Sequence, residues 1–414
     1  MRVVLIHRYF WPDSAPYANI LRLLAARLGD DGHDVQVLTC QPSYRSPGPQ
    51  RAPGREPLGS RIMVRRWRVL PDRRSTTAKM VNLVLFCARL LTMGFRLGKA
   101  DVVMAASTPP VAVAWVGSWL ARRSEARFVY HKQDIYPDVA VAAGLLRSAW
   151  LATLLRRVDA RTERRADRVV VLSRDMAATV RDRGVEKDRI VTINNFDPWT
   201  CGGPAAEPPQ GPTARAGGPL RVAFAGTLGR FQNIETIIAA MVILRDDPTI
   251  AFHFFGDGPL RAPLERQVAT RGLTNTRLYG YRPPQEVADF LRTQADLGIV
   301  SLLPGVIRAA YPSRTMSYLR QGCPVLALVD GNSELAEMLV GSGAGIQVEP
   351  VGADRLAETI QRLARKPGDL LAARSRAAAL YHARFDVNQQ LDRWTELFDQ
   401  LAERHPVAAG RSAT

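Results

Sequence analysis

Three turns in the second half of the chain combine glycine, hydroxyl and arginine in a way that would let a backbone hold an anion. "FAGTLGRFQN" follows an apolar run and opens a helical one. Gly226 and Gly229 remove side chains there, so N–H groups can approach a ligand, and Arg230 adds a permanent charge. "FFGDGP" repeats the arrangement with Gly256, Asp257 and Gly258. "YPSRTMSYLRQG" places Ser313 as the expected N-cap of a short helix with Arg314 just inside it, where outward amides and the helix dipole favour negative charge. Each turn alone is a weak signal. Three at the carboxyl ends of successive strands predict a phosphorylated nucleotide ligand, because that edge is where open α/β sheets bind.

The first half carries a second group, "YHKQDIYPD". Strand alternation puts His131 and Gln133 on one face and Lys132 and Asp134 on the other. Asp134 is of the type that orients or deprotonates a hydroxyl. His131 reads either as a cleft group or as a satisfied strand residue.

The elements that must position these residues alternate strand with helix, twice over. "VVLIH", "HDVQVLTC", "ADVVMAAS", "ARFVYHKQD" and "ADRVVVLS" are strands, each reached through a helical stretch such as "YANILRLLAARLGDDG". Residues 201–219, rich in Pro, Gly and Ala, break the pattern and read as a linker. Alternation resumes with "LRVAFAG", "IAFHFFG", "TRLYGY", "ADLGIVSLL" and "PVLALV". The expected fold is α/β, two Rossmann-like domains (1–200 and 220–385) facing across a cleft, with a closing helix at 386–404 and a tail at 405–414.

Composition narrows the function classes. The net charge of +17 sits in the first half, where residues 1–200 hold 33 Lys+Arg against 18 Asp+Glu and residues 201–414 hold 23 against 21. Such a half suits an anionic surface. Nucleic acid is discounted, since no recognition helix, zinc or stacking motif accompanies the charge. The four scattered cysteines form no paired spacing, so neither a metal site nor a disulfide framework is expected, and a reducing cytoplasm is the expected compartment. The N-terminal apolar run is too short for a signal peptide, and no transmembrane helix is expected. Instead "RIMVRRWRVLPDRRSTTAK" before the apolar "MVNLVLFCARLLTMGFRLG" reads as a segment lying in a headgroup layer, flanked by arginines and Trp67, or as a helix covering the sheet.

The C-terminal turns, with "RYFWPDSAPYANILRLLAARL", "ASTPP", "QDIYPD" and "INNFD" in the first half, resemble family 4 retaining glycosyltransferases of the GT-B fold. "QDIYPD" and "PSR" resemble the branch building O-antigen, capsule and exopolysaccharide units. The resemblance covers residues 1 to 400. It implies a sugar nucleotide bound by the second domain through Gly226, Thr227, Gly229, Gln232, Asn233, Gly256, Asp257, Gly258, Tyr281, Ser313 and Ser317. Arg230 and Arg314 would stabilise the departing diphosphate. It implies an acceptor, lipid-linked or another glycan, bound by the first domain through Tyr17, His131, Gln133 and Asp138, with Asp134 catalytic. No metal or cofactor is implied, and the enzyme would be cytoplasmic and peripheral to the inner membrane. The sequence departs from the family at the usual Glu-x7-Glu pair, here Ala309 and Ser317, and at the usual lysine, here Gln232. A binding protein without catalysis, transfer to a small-molecule acceptor and a nucleotide-sugar epimerase are the competing readings.

Overall fold

The computed structural model describes residues 1–43, 51–70, 76–108, 110–199, 218–366 and 368–403. The expected tail, and the expected linker except for its last two residues, lie outside them. The chain divides into two compact units, one of residues 1–138, 146–194 and 387 onward, the other of residues 139–145 and 195–386.

In the first unit the elements run β1 (Arg2–Ile6), α1 (Pro16–Asp30), β2 (Asp34–Cys40), β3 (Arg55–Pro57), β4 (Ile62–Trp67), α2 (Thr76–Gly94) and β5 (Val102–Ala106). They continue through α3 (Ala112–Arg123), β6 (Arg127–His131), α4 (Asp138–Ala142), α5 (Ala149–Arg165), β7 (Arg168–Val171), α6 (Arg174–Asp182) and β8 (Ile190–Thr192). Only the first residue of α4 is grouped with this unit. The strands form one sheet in the order β3-β4-β2-β1-β5-β6-β7-β8, parallel except for β3. Val3, Val4, Leu5 and Ile6 of β1 are all buried, the continuous apolar run of a parallel strand covered on both faces.

The basic segment takes a different form from the one its composition suggests. Ile62–Trp67 is a strand paired parallel to β2. Arg66 is buried against Glu56, and Trp67 packs on Phe86 at 5.9 Å between ring centroids, so neither lies free on a surface. The helix α2 carries the apolar part of this segment. Despite Lys79 and Arg89, Thr77–Gly94 has a mean hydropathy of 1.3 and is long and apolar enough to cross a membrane. Phe86, Leu90 and Met93 are buried on one of its sides, while Met80, Val84 and Leu85 are exposed on the other.

The second unit runs β9 (Leu220–Ala225), α7 (Ile234–Ile243), β10 (Ile250–Phe255), α8 (Arg261–Thr270), β11 (Thr276–Gly280), α9 (Pro284–Thr293) and β12 (Leu297–Ser301). Then come α10 (Arg314–Arg320), β13 (Val325–Leu328), α11 (Glu334–Ser342), β14 (Gly345–Val348), α12 (Ala353–Arg365) and α13 (Gly368–Arg384). Its sheet is wholly parallel, ordered β11-β10-β9-β12-β13-β14. Phe224, Phe252, Phe254, Leu297 and Ile299 anchor a core closed by α7 and α12. The last helix, α14 (Val387–Glu403), returns to the first unit and lies along α1.

In both sheets the strand order reverses at the first strand, between β1 and β5 and between β9 and β12. The second reversal is held open by one side chain. β9 and β12 are paired only at Val222↔Leu297 and Ala223↔Gly298. Beyond that the Tyr318 hydroxyl stands between them, accepting from the Ala225 N–H at 2.7 Å and donating to the Ile299 carbonyl at 3.3 Å. Gly298 makes room, since a Cβ there would lie 2.6 Å from the tyrosine ring. Tyr318→Phe removes a partner from both buried backbone groups. The expected cost is about 2–4 kcal/mol in denaturant unfolding. A cost near zero would show that the hydroxyl bridge is incidental.

Candidate functional site

The turn after β9 is built against the turn after β10. A Cβ on Gly256 would lie 1.9 Å from the Gly226 carbonyl oxygen, and one on Gly258 would lie 2.5 Å from that of Leu228. These two glycines therefore serve contact between the turns, a different role from direct approach to an anion. The amides of Gly226 and Leu228 donate to Phe255 and Asp257 carbonyls at 2.9 and 3.1 Å, and that of Gly258 donates to the Asp257 carboxylate at 2.7 Å. Among the described residues, the amides of Thr227, Gly229 and Arg230 have no protein acceptor.

Arg314 reaches this turn from α10. Its guanidinium lies 4.0 Å above the Phe224 ring, and Nη2 donates to the Thr227 carbonyl at 3.1 Å. Gly226, at φ 132°, leaves the space, because a Cβ there would come within 3.4 Å of Nη2. Burial lowers the guanidinium's affinity for its proton, partly offset by the Tyr318 hydroxyl beside it. Nη1 is buried without a partner, and no carboxylate pairs with Arg314 among the described residues. A buried cation left in that condition is unfavourable until an anion meets it.

Several expected donor contacts change character. Ser313 precedes α10 but caps nothing. Its backbone is already helical (φ −58°, ψ −25°) and the Pro312 carbonyl accepts from Thr315 at 3.0 Å, so its exposed hydroxyl cannot fold back onto the first turn. With only seven residues in α10, charge at this end comes from Arg314 more than from the helix dipole. Asn233 is committed to starting α7: at φ 47° it donates to the Pro350 carbonyl at 2.7 Å and accepts from Thr236 at 2.8 Å. Gln232 stays available, buried with Oε1 lacking a partner. Arg230 and Tyr281 are exposed, Ser317 is half-buried, and Ala309 is buried.

In the first unit the ends of β1, β5 and β6 converge. The Ser107 hydroxyl accepts from the amides of Gln133 at 2.9 Å and Asp134 at 3.2 Å. Gln133 donates its side-chain amide to His131 Nε2 at 2.8 Å, which puts the imidazole proton on Nδ1, 2.7 Å from the Tyr17 hydroxyl. His131 and Tyr17 are thus interior groups, contrary to a direct acceptor contact. The His131 ring lies 4.8 Å from that of Trp394, and burial pushes its pKa down to about 3. Asp138 is likewise engaged, paired with Arg156 at 2.6 Å and with Arg183.

Beneath the Gln133–Asp134 turn lies a network that the sequence did not mark. Lys132, fully buried, pairs with Asp159 and with Glu163 at 2.7 Å, and Arg183 bridges the same two carboxylates at 2.8 and 2.9 Å. Tyr130 donates to Asp159 at 2.6 Å. Burial alone would raise the Asp159 pKa, but Lys132 and its other partners hold it below the usual range. In sequence, "RRVDARTERR" looks like a solvated helix face, and only the fold turns Asp159 and Glu163 inward.

Residues 17–195 match the Glycosyl transferase 4-like domain, and residues 210–381 match Glycosyl transferases group 1. The chain is a glycosyltransferase. Over 69% of its length this glycosyltransferase is 27% identical to "Probable glycosyltransferase WbjE" of Pseudomonas aeruginosa, covering 71% of that protein. It is 25% identical over 84% of its length to "Putative colanic acid biosynthesis glycosyl transferase WcaI" of Escherichia coli (strain K12), covering 89% of it. Among solved structures, Anabaena Alr3699/HepE in complex with UDP-glucose superposes with a TM-score of 0.67 at 15% identity, over 97% of this chain and all of that one. The fold is GT-B.

Asp134 yields a test of the first unit's geometry. Burial raises its carboxyl from an ordinary 3.8 to about 6, with Lys132 pulling the other way. Because the charged form is the penalised one, the cost is absent below the ordinary value and complete above about 6. Asp134→Asn should therefore melt with wild type at pH 4 and above it at pH 7.5, in thermal scans. The same offset at both pH values would mean the carboxylate is not buried.

Proposed function

We propose that this glycosyltransferase moves a sugar, with retention of anomeric configuration and without a metal cofactor, from a nucleoside-diphosphate sugar to an acceptor. The acceptor class proposed is a lipid-linked diphosphate glycan of cell-surface polysaccharide synthesis. The observation carrying this reading is Arg314, a buried guanidinium without a carboxylate, set on a glycine turn with three amides that lack protein acceptors. A diphosphate supplies the acceptors this arrangement lacks, and its charge grows as the bond to the sugar breaks. Donors fixed there in advance would lower the barrier. The HepE complex with UDP-glucose supports a sugar nucleotide, and the name of WcaI supports the polysaccharide context.

The first unit is proposed to hold the acceptor, with Asp134 as the base for its hydroxyl. The proposed location is the cytoplasm on an anionic membrane, and the exposed face of α2 supports the membrane contact. Met80, Val84 and Leu85 stand outward with Lys79 and Arg89 beside them. Such a stripe fits the headgroup boundary.

The test is transfer in vesicles containing anionic lipid and a lipid-linked diphosphate sugar, supplied with UDP-, GDP- and TDP-sugars. A larger lipid-linked product is expected with one donor. Arg314→Ala should lower its rate by about 100-fold or more, on the scale of losing one preorganised transition-state donor. Val84→Glu with Leu85→Glu should release the enzyme from the vesicles in flotation. Donor binding with no product would instead identify a binding protein, and full activity in Arg314→Ala would remove the leaving-group assignment.

A further inference from the structure

The turn after β9 leaves two buried polar atoms without partners, and their needs are opposite. Arg314 Nη1 carries hydrogens and wants an acceptor, whereas Gln232 Oε1 is a lone-pair atom and wants a donor. A deprotonated diphosphate satisfies the first and cannot satisfy the second, because it offers no hydrogen. The ligand must therefore bring a hydroxyl or an N–H to Gln232 as well.

Gln232 is held for that purpose on both sides of its backbone. Its N–H donates to the Gly229 carbonyl at 3.2 Å, and its own carbonyl accepts from the Ser301 hydroxyl at the end of β12. The side chain lies along the glycine turn, and a Cβ on Gly229 would come within 3.4 Å of Gln232 Cγ. Only 7% of the residue is exposed. A side-chain carbonyl buried in this way costs free energy until something donates to it.

We infer that Gln232 is a sugar-reading residue, its Oε1 accepting from a hydroxyl of the transferred sugar while the diphosphate rests on Arg314 and the open amides. This rests on the sugar-nucleotide reading of the site and adds to it the group that distinguishes a sugar nucleotide from the bare diphosphate. A donor whose sugar brings no hydroxyl to Gln232 loses the contact.

The experiment is calorimetric titration of UDP with UDP-glucose, GDP with GDP-mannose and TDP with TDP-glucose. It uses the full chain as wild type, Gln232→Met and Gln232→Glu. Wild type should bind the sugar nucleotide of at least one pair more tightly than its diphosphate. In Gln232→Met that advantage should shrink about five- to tenfold with the diphosphate itself unchanged, the loss of one hydrogen bond between neutral groups. Gln232→Glu keeps an acceptor oxygen but adds a charge beside the phosphates. It should weaken both members of the pair and preserve the ratio between them. Thermal melting confirms that each variant is folded. Equal losses for both ligands in Gln232→Met would move the contact to the nucleotide and overturn the inference, as would no loss for either. Failure of wild type to bind any of the six would overturn the sugar-nucleotide reading itself, a separate outcome.

Discussion

The second unit depends on the hydroxyl of Tyr318 between two strands that have stopped pairing. Parallel strands that diverge leave an amide and a carbonyl without partners, and in a dry interior neither can stay so at low cost. Tyr318 supplies both, through one oxygen, from the middle of α10. The consequence is positional. With its second turn tied to the sheet, α10 presents Arg314 one turn earlier, over Phe224 and onto Gly226. The glycines complete the fit, Gly298 receiving the tyrosine ring and Gly256 receiving the neighbouring turn. The proposed anion site follows from a sheet that had to be held open.

The first unit uses hydroxyl and charge in a related way. Ser107 gathers two successive amides of the segment after β6, and beneath it Lys132, Asp159, Glu163 and Arg183 form a set of two cations and two carboxylates that Arg183 extends to Asp138. Buried ion pairs of this kind add little net stability over apolar packing, but removing one partner strands the others. Their effect here is to fix the backbone on which Gln133 and Asp134 sit. The cost of the Asp134 carboxylate, raised to about 6 by burial, is borne within that rigid frame.

The sequence made the architecture legible because parallel strands buried on both faces read as uninterrupted apolar runs, and glycine turns mark their ends. Short edge strands were harder: β3, β8 and β14 have three or four residues each, and Ile62–Trp67 was hidden by its arginines. Residue types located the site, but they did not reveal orientation. Ser313 has the composition of a cap and the dihedrals of a helix. His131 and Tyr17 have the chemistry of a ligand site and face the interior, in part because Trp394, some 260 residues later in the chain, covers them. Asp138 resembles an acceptor ligand until Arg156 and Arg183 are placed beside it. For His131, Tyr17 and Asp138 the missing information was a long-range partner, which local spacing cannot carry.

In the proposed reading, three open amides and one buried guanidinium grip a diphosphate. Backbone amide NMR of the nitrogen-15-labelled protein during UDP, GDP and TDP titrations tests it most directly. The amide resonances of Thr227, Gly229 and Arg230 should shift downfield and become protected from exchange with one of these, while those of Gly226 and Leu228, already bonded within the protein, move less. Saturable binding that leaves those three resonances in place would contradict the account.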